Sequence, residues 1–148
     1  MPQSIRRFDL TSTFDVVQAR QCAREMARDL GFGLTDQTRI ATAVSDLARR
    51  ALDSGVQGSV RFTVVTSGAR RGLECTSVGG SKLGIASNPA QGGIFGGIER
   101  LVDEFETEPG IGEEVAVIMR KWLPQDLAEG LSKLGLASAP PVAPRASV

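Results

Sequence analysis

The period of the apolar positions changes several times along this chain, and each change marks an element. Alternation from Ile5 to Leu10 predicts a short strand. Thr11, Ser12 and Thr13 follow with hydroxyls suited to a helix cap. Over residues 14–30, Val16, Val17, Ala19, Cys22, Ala23, Met26, Ala27 and Leu30 recur at steps of three and four, which predicts a helix with one apolar face. Gly31-Phe32-Gly33 ends it, and a second helix starts at Thr35. The second helix carries its stripe on Ile40, Ala43, Val44, Leu47, Ala48, Ala51 and Leu52, and stops at Ser54-Gly55. Strict alternation returns in residues 58–67 through Val60, Phe62 and Val64, with a hairpin partner over 72–78. Residues 79–97 hold seven glycines and read as a long functional loop. Ile98, Leu101, Val102 and Phe105 predict a helix over 98–105. A short strand follows over 105–108, then a turn at Pro109-Gly110-Ile111-Gly112 and a closing strand over 113–122.

Consecutive hairpins with helices to one side predict a two-layer α/β sandwich, a mixed but mostly antiparallel sheet covered by helices on one face. Residues 1–123 form this single domain. Residues 124–135 predict a short C-terminal helix on Leu127, Leu131 and Leu134, and 136–148 a disordered Pro/Ala-rich tail. No internal repeat is visible.

Composition narrows the chemistry. The 148 residues include seventeen basic and seventeen acidic side chains and no histidine. Zero net charge argues against nucleic-acid or anionic-membrane binding through bulk charge. Without histidine there is no Ser-His-Asp triad, no Cys-His dyad and no His-ligated zinc. Cys22 and Cys75 are far apart in sequence and form no metal or redox motif; they read as small buried hydrophobes of a reduced, cytoplasmic protein. The charge is uneven. Residues 1–71 hold eleven Arg against seven acids, while residues 72–148 hold six basic residues against ten acids. The first half therefore offers a basic surface, on which Arg20, Arg24 and Arg28 are spaced by four.

Two stretches carry a resemblance. Ala19-Arg20-Gln21 through Leu30-Gly31-Phe32, continued by Asp36-Gln37 and by Thr42-Ala43-Val44-Ser45-Asp46-Leu47-Ala48-Arg49, is one; Gly96-Gly97-Ile98-Glu99-Arg100-Leu101-Val102-Asp103-Glu104-Phe105 with Arg120-Lys121-Trp122 is the other. Together they resemble the bacterial anti-sigma-factor and switch-protein serine/threonine kinases of the GHKL (Bergerat-fold) ATPase superfamily, over about residues 5–122. In that family a glutamate on the second helix serves as base and an asparagine one turn later binds magnesium. The matching positions here are Asp46 and Arg50. A guanidinium has no lone pair for a metal. The family's Asp and Gly-x-Gly after the third strand read adenine; here that strand runs into Gly79-Gly80, and no acid occurs between Glu74 and Glu99. The missing acceptor costs a hydrogen bond of about 1–3 kcal/mol. Gly92-Gly93 and Gly96-Gly97 keep the character of the family's phosphate lid, in a shorter loop.

The resemblance thus implies a protein-binding regulator of a partner-switching system that has lost ATP binding and catalysis, with no cofactor and no metal. Its partner would be a STAS-domain antagonist, a sigma factor or a phosphatase, met by Arg20, Arg24, Arg28, Arg39 and Arg49. A homodimer is open. Two alternatives stand beside it. One is an active kinase using ATP and magnesium to phosphorylate a STAS-domain antagonist, with Asp46 as base and Asp53 or Glu74 replacing the lost metal oxygen. The other is an interaction subunit docking through residues 124–148.

Overall fold

The computed structural model describes residues 5–54, 56–80 and 96–124. Five strands, β1 (Ile5–Leu10), β2 (Gly58–Ser67), β3 (Arg70–Gly79), β4 (Glu104–Pro109) and β5 (Val115–Trp122), form one sheet in the order β1-β2-β3-β5-β4. Every pairing among them is antiparallel, in line with the expected mostly antiparallel sheet and without a parallel pair. The helices α1 (Thr13–Leu30) and α2 (Leu34–Leu52) pack on each other and over β1, β2 and β3. The expected C-terminal helix and tail lie outside the described residues.

Strand alternation sets the two faces. Phe8, Val60, Phe62, Leu73, Cys75, Val117 and Met119 point to the helices; Arg7, Arg61, Glu74 and Arg120 point to the open side. The helices answer with Val16, Ala19, Cys22, Ala23, Met26 and Ala27 from α1, and with Ile40, Ala43, Val44, Leu47, Ala48 and Ala51 from α2. Phe8 and Phe62 meet edge to face, ring centres 6.1 Å apart. Both cysteines are free and buried, and burial raises both thiol pKa values, so they are inert packing groups.

Local signals set the helix ends. The Asp15 carboxylate accepts the Thr11 and Ser12 amide hydrogens at 2.9 and 3.0 Å, and these bonds from the start of α1 hold its pKa below the usual carboxylate value. Gly31 closes α1 at φ 104°, a left-handed conformation that glycine adopts freely. At the far end of the sheet Trp122 lies over Gly72, where an added Cβ would stand 2.8 Å from the indole and 2.6 Å from the Lys121 carbonyl.

The expected helix over 98–105 is a correction. Only a short turn, α3 (Gly96–Glu99), is helical, and β4 already begins at Glu104. The cause is Asp103. Its amide donates to the Arg120 carbonyl, and its carboxylate accepts the Trp122 amide at 2.7 Å and faces the Lys121 ammonium at 3.3 Å. These contacts draw the chain onto β5. Ile98, Leu101, Val102 and Phe105 all reach the core, but Phe105 does so from a strand opposite Met119.

Candidate functional site

The helical repeat puts Asp46 and Arg50 on one face of α2, one turn apart. There they pair with each other: Arg50 Nε donates to Asp46 Oδ1 at 3.2 Å and Nη2 to Oδ2 at 3.3 Å. Both oxygens of the only acid at the family's base position therefore receive a cation. The substitutes for the missing metal ligand are also placed elsewhere. Asp53 is exposed and caps α2, its amide donating to the Arg49 carbonyl. Glu74 stands on the open face of the sheet, 2.7 Å from Arg120 Nε, on the side away from the helices. No group of three or more Cys, Asp or Glu among the described residues is arranged to hold a metal ion.

Gly79 and Gly80 have a structural use. Their missing side chains let the end of β3 close against the end of α2. An added Cβ at Gly79 would lie 3.1 Å from Ala51 Cα, and one at Gly80 would lie 2.7 Å from the Ser54 carbonyl oxygen and 2.9 Å from Val56. The buried Ser54 hydroxyl latches the two elements, accepting the Gly80 amide at 2.7 Å and donating to the Ala51 carbonyl at 2.7 Å. The sequence shows Ser54 only as part of a helix stop, because the partner that makes it a latch is 26 residues away. Gly80→Ala should therefore destabilise the fold itself, by about 1–2 kcal/mol of overpacking, seen as a lower denaturant midpoint with no nucleotide present. Ser77, two residues before Gly79, is fully buried and its hydroxyl has no hydrogen-bond partner among the described residues.

Of the remaining glycines, Gly92 and Gly93 lie outside the described residues. Gly96 and Gly97 open α3, and a Cβ on Gly97 would meet nothing within 4 Å, so packing does not demand glycine at position 97. The arginines divide. Arg20 and Arg28 are exposed along α1 and Arg24 is half-buried between them. Arg28 faces Asp29 at 3.5 Å and Arg39 faces Asp36 at 3.5 Å. Arg39 and the exposed Arg49 are about 15 Å apart along α2, so they do not extend the α1 row as one patch.

A cleft of about 620 Å³ lies at the opposite end of β3, lined in part by Asp36, Arg70, Asp103, Lys121 and Trp122. Its charges are matched: Lys121 bridges Asp36 at 3.7 Å and Asp103 at 3.3 Å, and the Arg70 guanidinium stands 5.0 Å from the Trp122 ring.

No protein-family model matches the chain. It is 31% identical over 124 residues to the serine/threonine-protein kinase RsbT of Bacillus subtilis (strain 168), an alignment spanning 77% of this chain and 93% of that one. Among solved structures it resembles the RsbU and RsbW domains of Rv1364c from Mycobacterium tuberculosis, with a TM-score of 0.59 and 16% identity over 84% of this chain. That likeness speaks for the fold, and the chain spans 34% of the solved one. With the sandwich, the order of its elements and the match along nearly all of RsbT, the chain belongs to the bacterial anti-sigma-factor and switch-protein serine/threonine kinase family of the GHKL superfamily.

Proposed function

We propose that this chain is a regulatory protein-binding member of a cytoplasmic partner-switching system, one that keeps the kinase scaffold without its nucleotide chemistry. The observation that carries this is the Asp46–Arg50 pair. The acid at the base position is held by a cation, and that cation stands where the family places its metal ligand. The close packing of Gly79 and Gly80 on Ala51, Ser54 and Val56 supports it, since these glycines already serve the helix–sheet contact. The partner is a STAS-domain antagonist, a sigma factor or a phosphatase, approached from the arginines of α1. No helix among the described residues is long and apolar enough to cross a membrane.

Titration calorimetry with ATP and with ADP, each with magnesium to millimolar concentration, is expected to give no heat and no thermal shift. Micromolar binding would overturn the loss of nucleotide chemistry. The alternative of an active serine kinase draws on the 31% identity to a kinase. Phosphate transfer from ATP to a serine of a STAS-domain protein, abolished in Asp46→Asn, would establish it.

A further inference from the structure

The cleft at the far end of the sheet is also where the chain leaves the sandwich. β5 ends at Trp122, whose amide donates to the Asp103 carboxylate at 2.7 Å, and the Leu123 amide donates to the Arg71 carbonyl at 2.8 Å. Leu123 packs against the core, and Pro124, the last described residue, is exposed and lines the cleft. Two hydrogen bonds therefore fix the exit, and residue 125 starts from the cleft wall. The lining is uneven in charge. Lys121 is satisfied by Asp36 and Asp103, which leaves no free ammonium there. Arg70 differs: it is exposed, lies 5.0 Å from the Trp122 ring and forms no salt bridge among the described residues. Apolar surface of Ala69, Trp122, Leu123 and Pro124 lies beside it. An acid followed by apolar side chains is the complement of such a surface.

The sequence after Pro124 has that order: Asp126, then Leu127, Leu131 and Leu134 at steps of four and three. Asp126 is two residues from Pro124, a span of at most about 7 Å, so it is within reach of an arginine lining the same cleft. The volume of about 620 Å³ is of the size that encloses a compact, mostly apolar group. We infer that residues 125–134 of this chain occupy the cleft, with Leu127 and Leu131 against Trp122 and Leu123 and with Asp126 paired to Arg70. Tethering favours this occupant over a free one. A segment joined directly to the cleft wall has an effective concentration in the millimolar range, so even weak contacts fill the site. Any partner at this end of the sheet then has to displace the segment first. Neither Asp46 nor the arginines of α1 take part, so this inference stands or falls apart from the function proposed above.

Trp122 is the only tryptophan of the chain and lines the cleft, so its emission reads the site directly. The full-length protein is compared with Leu127→Ser/Leu131→Ser and with the control Arg145→Gln. The leucine variant should emit further to the red, and its acrylamide quenching constant should at least double, while the control matches the unaltered protein. A synthetic peptide of residues 124–136, titrated into the leucine variant, should restore the original emission along a saturating curve. The same peptide carrying Asp126→Asn should bind at least threefold more weakly and with less salt dependence. Emission and quenching that are unchanged in the leucine variant overturn the inference. A red shift that the peptide does not reverse also overturns it, whatever the stability of the variant. Sedimentation equilibrium that finds a dimer of the unaltered protein and a monomer of the leucine variant would assign these leucines to a contact between copies, and overturn it as well.

Discussion

Phe62→Ala is expected to cost about 3–5 kcal/mol, because Phe62 is the largest fully buried side chain among the described residues. Phe62 is fully buried at the centre of β2, on the face that the helices cover. In register it stands between Arg6 of β1 and Cys75 of β3, and its ring meets the edge of Phe8. Truncation removes the apolar transfer energy, opens a cavity between two layers that cannot collapse independently, and deletes an aromatic pair worth about 0.5–1.5 kcal/mol more. A domain of this size has about 5–15 kcal/mol in total, so the variant should be partly unfolded at growth temperature. Urea unfolding checks it: the midpoint should fall steeply with the slope unchanged. Phe62→Leu, which keeps most of the volume, should cost less than about 1.5 kcal/mol. Equal losses in the two variants would mean that shape at this position, rather than burial, sets the stability.

The first half of this sandwich is legible because its signals are local. The stripes of α1 and α2, the glycine at φ 104° and the alternation of β2 fix their elements within a few residues, and the structure places them accordingly. The second half depends on distant contacts. Nothing in the spacing of Ile98, Leu101, Val102 and Phe105 shows that Asp103 will bond to β5, so a buried apolar set takes the wrong period. The same distinction applies to the site. That Arg50 cannot bind a metal follows from its chemistry, and its pairing with Asp46 follows from a spacing of four. That Glu74 is turned away from the helices requires the sheet register, and the Ser54 latch requires knowing that the two ends meet. Gly79 and Gly80 are therefore ambiguous in sequence: a glycine pair suits close approach by a phosphate or by a helix, and here the helix has taken it.

The open face of the sheet holds the second large effect. Arg120→Met is expected to cost about 2–3 kcal/mol near neutral pH, with a pH dependence that identifies the cause. Arg120 joins three strands: its Nε donates to Glu74 of β3 at 2.7 Å, and Nη1 donates to Glu104 and Glu106 of β4 at 3.0 and 2.6 Å. The Arg120 side chain is 24% exposed and that of Glu74 19%, so their bond is less screened than an exposed pair, while Glu104 and Glu106 are nearly half exposed and contribute less. Removal of Arg120 leaves three carboxylates without their shared cation: Glu104 and Glu106 as neighbours on β4, and Glu74 on β3 across the intervening β5. In the intact protein the Trp122 indole N–H, 2.7 Å from Glu104, and then Arg120 hold the Glu104 carboxyl below its usual value of 4.5. A carboxyl depressed in this way stabilises the fold above about pH 4.5 and loses that contribution as pH falls through the lower folded value. The variant behaves in the opposite sense, because acid neutralises its stranded carboxylates and relieves their repulsion. The difference between the two proteins should therefore be widest at about pH 7 and should narrow steadily toward about pH 3.5 in parallel urea titrations. A difference that stays constant with pH would assign the loss to the packing of the Arg120 stem. The indole bond to Glu104 is untouched by the substitution, so Trp122→Phe in the Arg120→Met background should add a further, smaller loss that also fades in acid.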